Sequence, residues 1–216
     1  AFLAVLATAH PAAAQSAKIA WQRLEPGLHL ARVAPPIKAK RGKSELVILR
    51  ADLRRFDLRL VSATWAGDEA RTARDWARRH KLVAAINAGL FMKDGKTSVG
   101  LMRTGRRVNN PSLNRWGAVL SFDRRSARAP RARIVDRRCE NFDSIRRRYR
   151  SHLQSFRMLT CRGTTTFKPS DRRWSIAALA IDRRGRVLFL FAEAAFSMWE
   201  FSQNLRRLPL GVVRAM

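Results

Sequence analysis

Short runs of alternating or continuous apolar residues dominate this chain, a pattern that predicts a protein built mostly of strands. Residues 19–33 form a mixed, strand-like stretch closed by Pro35-Pro36. A basic turn (Lys38, Lys40, Arg41, Lys43) leads to Glu45-Leu46-Val47-Ile48-Leu49, a strand, and then to residues 56–61, which alternate as a half-buried strand should. Residues 99–102 and 117–122 are strand-like, with Asn109-Asn110-Pro111 as a loop between them. Ile134 and Val135 predict a strand before Cys139, and residues 156–160 predict another. Residues 174–181 and 187–191 flank Arg183-Arg184-Gly185 and read as a hairpin with glycine at its turn. Residues 211–216 enter a last strand.

Three places change to a helical period. Thr72 followed by Asp75 resembles a capping box and opens a short helix with Trp76 and Ala77 inward. Phe142, Ile145 and Tyr149 are spaced for one helix face. Ser197-Met198-Trp199-Glu200 is a capping box, and Met198, Phe201, Leu205 and Leu208 share the face of the helix it starts. The pattern defines an α+β chain: a single mixed or antiparallel-sheet domain with a few packed helices, without internal repeat or second domain.

One segment breaks the pattern in a way that points to chemistry. An apolar run over residues 82–86 ends in Asn87-Ala88-Gly89, followed by Phe91, Asp94-Gly95 and Ser98-Val99-Gly100-Leu101. A buried strand ending this way delivers an amide side chain and bare backbone to a sheet edge, where a ligand can approach. The plainer alternative is a strand followed by a glycine turn.

The 216 residues suffice for one domain with a real core, and 46% are hydrophobic, so the charge does not signal disorder. Residues 1–14 carry no Lys, Arg, Asp or Glu and end in Pro11-Ala12-Ala13-Ala14. That is the apolar region and small-residue cleavage site of a secretory signal peptide, too short to span a membrane. The expected organisation is a signal remnant at 1–14, an N-terminal extension with a strand at 15–44, and a domain over 45–216. No membrane span remains after signal cleavage, so the protein is expected to be exported, periplasmic or extracellular. In an oxidising compartment the two cysteines, Cys139 and Cys161, predict one disulfide, with two buried thiols as the alternative. The net charge of +28 comes almost entirely from arginine pairs scattered along the whole chain. They form no recognisable nucleic-acid motif, so no specific nucleic-acid partner is expected.

Several of these features occur together in one family. The order is a strand pair, the helix Thr72-Ala73-Arg74-Asp75-Trp76-Ala77, the Asn87-Ala88-Gly89 segment and Ser98-Val99-Gly100-Leu101. Asp136 and Cys139 follow, then Tyr149, Gln154, Arg157-Met158, and Cys161 with Gly163. Arg173-Trp174-Ser175, Ile181-Asp182, Gly185-Arg186-Val187 and the closing Leu208-Pro209-Leu210-Gly211 complete the series. This resembles the phosphodiester glycosidase family, the catalytic-domain family of the lysosomal mannose-6-phosphate uncovering enzyme, and in particular its exported bacterial branch. The similarity runs from about residue 45 to 216. It implies hydrolysis of a sugar joined through phosphate to another group, on an α+β scaffold, and pairing of Cys139 with Cys161. Family members continue past the last residues here into an acidic Gly-Gly segment that belongs to the site, so a domain cut short at Met216 is expected. Ile176 stands where bacterial relatives tend to carry a basic residue, Ala180 replaces a glycine, and Thr164-Thr165-Thr166 lacks an expected asparagine.

Cleaving a glycosyl phosphodiester requires neutralising phosphate charge and stabilising an oxocarbenium-like transition state, often with two carboxyl groups. Arg157 is the candidate phosphate clamp, because a guanidinium binds phosphate oxygens in bidentate fashion; the alternative is a surface ion pair. Asn87 and Gln154 are candidates to donate to sugar hydroxyls or phosphate, or else buried amides that cap strand ends. Gly89 and Gly100 would permit close backbone approach, and the resemblance adds Ser175 as a binding candidate. Among the carboxylates, Asp94 and Asp182 read as turn residues, and Glu193 follows the strand over 187–191 at a sheet end. Glu193 and Asp182 are the catalytic candidates. His29, His80 and His152 show no metal-ligand spacing, so neither a metal nor another cofactor is expected. The expected partner is a carbohydrate phosphodiester or anionic glycan. The competing class is a non-catalytic, basic, exported module that binds anionic cell-envelope polymers.

Overall fold

A computed structural model describes residues 18–67, 69–87 and 89–216, so the signal-like stretch at 1–14 lies outside the described residues. Two antiparallel sheets account for the strand-rich pattern. The first has the order β1 (Gln22–Glu25), β2 (Leu28–Val33), β3 (Leu46–Ala51), β10 (Val187–Phe196), β9 (Trp174–Asp182), β11 (Val212–Ala215). The second runs β5 (Arg107–Asn110), β4 (Met102–Thr104), β8 (Tyr149–Ser155), β6 (Ala118–Arg124), β7 (Ala132–Asp136).

Strand alternation sorts the side chains into three apolar layers. On β9, Ile176, Ala178 and Ala180 turn to one face, where they meet Leu46, Ile48, Leu188, Leu190 and helix α4 (Met198–Arg207). Leu179 and Ile181 turn to the other face and meet Leu120, Ile134 and Leu153 of the second sheet. Beyond that sheet, Val119 and Val135 pack on Phe142 and Ile145 of α3 (Phe142–Arg146). The order through the molecule is therefore helix, sheet, sheet, helix. Because β9 and β10 are covered on both faces, their sequences are nearly continuous apolar runs.

The hairpin at Gly185, the capping box at Ser197 and the strand before Met216 stand where the apolar pattern puts them. Ser197 Oγ accepts from the Glu200 N–H at 3.2 Å, and Glu200 accepts from the Ser197 N–H at 2.8 Å. Phe201 and Leu205 are buried beneath the helix.

Several local expectations are corrected. Residues 56–61 and 82–86 join no sheet. Their apolar residues instead line a cleft of about 660 Å³ where the two sheets diverge, with Leu58, Leu60 and Ile86 facing it while Val83 is exposed. Asn109 and Asn110 belong to β5 rather than to a loop, which starts at Pro111. Tyr149 opens β8 rather than extending α3, although it packs with Phe142 and Ile145 as their spacing suggests. Residues 156–160 leave β8 at Ser155 as irregular chain, held by one bridge between Leu159 and Thr165. Helix α2 (Ala73–Arg79) forms behind its Thr72 cap, yet Trp76 and Ala77 are only half-buried, with Trp76 facing the cleft.

Candidate functional site

Gln154 is the organising residue. It sits at the end of β8 with no exposed surface, and its amide is committed on both sides. The Oε1 accepts from the N–H groups of Leu101 (3.2 Å) and Asn114 (3.0 Å), while Nε2 donates to the carbonyls of Asn114 (3.1 Å) and Trp116 (2.6 Å). One side chain thus straps the Gly100-Leu101 segment to the loop before β6, where no ladder supplies those backbone groups with partners. Gly100 makes the strap possible, since a Cβ there would lie 2.8 Å from Gln154 Oε1. Gly89 adopts φ +75, and a Cβ on it would stand 3.4 Å from the Gln154 carbonyl.

Arg157 completes the group. Its stem packs on Gly117, where an added Cβ would meet Arg157 Cδ at 3.3 Å. Its Nη1 donates to both oxygens of buried Asp136, at 2.9 and 3.2 Å. The disulfide between Cys139 and Cys161, with Cα atoms 6.5 Å apart, closes the turn after Asp136 onto the segment that carries Arg157. Asp136, Cys139 and Cys161 place ligand-type atoms within 4.8 Å of one another, but the sulfurs are bonded to each other and this is no metal site.

The structure therefore gathers Gly89, Gly100, Gln154 and Arg157 around the end of β8, the central strand of the second sheet, rather than at a sheet edge. Asn87 is exposed two residues before Gly89 and, with Leu153 and Phe91, lines the neighbouring cleft. That volume falls within the roughly 300–1,000 Å³ of small-molecule sites. Asn114, Trp116 and Arg137 also belong to the cluster. Asn109, whose amide ties Ser98, Lys96 and Ser62 together, supports it from β5. The only sequence trace of Asn114 and Trp116 is a polar stretch before a strand, and Arg137 is one member of the scattered arginine pairs.

The paired carboxylates are not brought together. Asp182 is 3% exposed and spends its oxygens inside its own hairpin, accepting from the N–H groups of Arg184 and Arg186 (both 2.9 Å) and from Arg186 Nε (2.7 Å). Glu193 lies six residues beyond Val187 on β10, which at roughly 3.3 Å per residue puts it about 20 Å from that turn. Glycosidase carboxylate pairs stand only about 5–9.5 Å apart, so Asp182 and Glu193 cannot act as one acid/base pair. Glu193 and Ser175 are both exposed beyond the Ala192–Ile176 rung, and no hydrogen bond or ion pair among the described residues links them to the cluster. Asp94 is a turn residue, its carboxyl held below the usual carboxylate range by hydrogen bonds from Thr97 and Lys96.

Two of the histidines pack within the fold. His152 is buried at the α3 face of β8, with Nδ1 3.0 Å from Ser121 Oγ, and burial pushes its pKa down to about 4. His80 stacks on Trp76 at 5.5 Å.

What the cluster can offer an anion is the Arg157 guanidinium, held among amides whose own donors are taken by backbone carbonyls. The same scaffold occurs in solved structures. A hypothetical protein from Synechocystis matches over 94% of this chain with a TM-score of 0.65 and 14% identity. The zebrafish N-acetylglucosamine-1-phosphodiester alpha-N-acetylglucosaminidase catalytic domain, auto-inhibited by its pro-peptide, matches over 92% with a TM-score of 0.58 and 12% identity. At those identities the likeness establishes the fold. The chain spans 58% of the Synechocystis protein and 68% of the zebrafish one. No curated protein sequence matches it. The chain belongs to the phosphodiester glycosidase family, which matches residues 80–216, well over half its length.

Proposed function

We propose that the protein hydrolyses glycosyl phosphodiester bonds in the cell envelope or periplasm. The observation that carries this reading is the convergence of Gly89, Gly100, Gln154 and Arg157 at the end of the central strand β8, inside the region that the family matches. In this reading Arg157 meets the phosphate and Asn87 meets sugar hydroxyls at the cleft mouth, while Gly89 and Gly100 let their segments pack closely against Gln154. Gln154 holds the loops in place rather than touching substrate, because its donors and acceptors are already taken. Ser175 and Glu193 mark a separate exposed end of the β9–β10 hairpin, from which Glu193 would contribute only with further parts of the site.

The test is release of free sugar from an N-acetylglucosamine phosphodiester. Arg157→Ala should lower kcat/KM by about 100-fold, the size expected for removing one charged donor from a developing anion. Asn87→Ala should act mainly on KM. Absence of turnover, or turnover that neither substitution changes, overturns the reading. One observation favours a second reading, a basic module that binds anionic envelope polymers: the guanidinium groups assemble while the carboxylate pair does not. Saturable, salt-sensitive binding of an anionic glycan without any turnover would select it.

A further inference from the structure

Asp136, Arg157 and the Cys139–Cys161 bridge form one unit at the end of β7. Asp136 is only 1% exposed, and both its oxygens are engaged. Its Oδ1 accepts from the Arg138 N–H at 3.0 Å and from Arg157 Nη1 at 2.9 Å; its Oδ2 accepts from the Cys161 N–H at 2.9 Å. The disulfide ties together the two chain segments that donate to this carboxylate. Glu140, the other carboxylate at the turn, accepts from the Asp136 N–H and is paired with Arg133.

Two further guanidinium groups frame the same place. Arg137 Nη1 donates to the carbonyls of Asn114 (2.6 Å) and Trp116 (3.1 Å). Arg214 Nη1 donates to the carbonyls of Val213 (2.8 Å) and Cys161 (3.5 Å). Only Nη1 of Arg157 is committed; its Nε and Nη2 donate to no group among the described residues.

We propose that Asp136 is the positioning residue for Arg157. The carboxylate, itself held by backbone N–H groups across the disulfide, grips one corner of the guanidinium so that the Nε–Nη2 edge is presented as a fixed fork to the substrate's phosphate. This deepens the hydrolytic reading and rests on it. The physical advantage is preorganisation: an arginine held in advance loses less rotamer freedom when its anion arrives. The role has an opposite sign from simple electrostatics. By Coulomb attraction alone, removing the Asp136 charge tightens anion binding, whereas loss of the clamp weakens it.

The experiment titrates the whole chain with inorganic phosphate and follows the arginine Nε–Hε resonances, with the Arg157 signal assigned from Arg157→Lys. Arg157→Lys and Asp136→Asn should each weaken phosphate binding at least tenfold, and the double variant should be no worse than either single one. The Arg157 signal should be sharp in the parent and lost in Asp136→Asn. Phosphate bound as tightly or more tightly by folded Asp136→Asn, with the Arg157 signal retained, overturns the clamp. Should Asp136→Asn fail to fold, Cys139→Ser/Cys161→Ser decides: binding weakened at least threefold supports the clamp, and unchanged binding overturns it. A parent that binds no phosphate, but whose Arg157 signal still vanishes in Asp136→Asn, would keep the clamp and remove the phosphate handle from the hydrolytic reading.

Discussion

The α4 side of the first sheet and the loop side of the second sheet are equally well buried, yet different chemistry holds them. Under α4, Phe196, Phe201, Leu188, Leu190 and Leu205 are at most 1% exposed and make an apolar layer built on strand and helix periods. Around Gln154 the ladders come to their ends, and buried polar side chains connect the irregular segments beyond them: Gln154, Asp136, Asn110 and Ser98 are all buried, each next to an irregular segment. The first region derives stability from area removed from water, which tolerates approximate fit. The second depends on hydrogen bonds that must each be made, because an orphaned buried polar group costs more than a good one contributes. A binding edge needs backbone free of a ladder, so it is assembled from the second kind of region.

Three substitutions sharpen this contrast. Phe201→Ala should cost about 4 kcal/mol, the size of a large buried aromatic lost to a cavity, while KM in the folded fraction stays at the parent value. Denaturant midpoints at constant slope, with steady-state kinetics alongside, check both halves. Gln154→Leu fills similar volume but leaves the Leu101 and Asn114 N–H groups and the Asn114 and Trp116 carbonyls without this partner. It should cost about 3 kcal/mol and, unlike Phe201→Ala, abolish turnover in protein that remains folded by circular dichroism. Equal kinetic effects of the two would erase the distinction.

The third test uses His152. Its folded pKa of about 4 lies below the ordinary imidazole value of 6.5 because the side chain is buried. The unfolded chain therefore takes up the proton first on acidification, and the neutral imidazole's contribution is complete above pH 6.5 and lost as pH falls toward 4. By pH 5 the loss should be about 2 kcal/mol, and His152→Gln should flatten that part of the stability–pH curve.

The same contrast sets what the sequence reveals. The β9–β10 hairpin, α4 with its capping box and the last strand are legible because each matches a period, a cap or a turn glycine. The Cys139–Cys161 pairing was legible from the cysteine count and the family resemblance. Segments 56–61 and 82–86 mislead because their apolar residues face a cleft instead of a neighbouring strand, and alternation alone does not distinguish the two. Asn87, Gly89, Gly100, Gln154 and Arg157 stand out as residue types, yet Gln154's role as a strap depends on partners 40 and 53 residues away. Asn114 and Arg137 carry no local signal. Asp182 illustrates the reverse, a carboxylate whose turn chemistry was visible and whose proposed role was not compatible with it.

The two faces of β9 have one more consequence, for folding kinetics. Ile176, Ala178 and Ala180 belong to one apolar layer, Leu179 and Ile181 to another, and the tight turn at Gly185 lets this strand pair with β10 through local contacts. Closing that short loop is entropically cheap compared with joining β2–β3 to β10 across more than a hundred residues. The hairpin is therefore the natural nucleus, and because it is shared by both layers, they should melt together as one cooperative transition rather than in sequence.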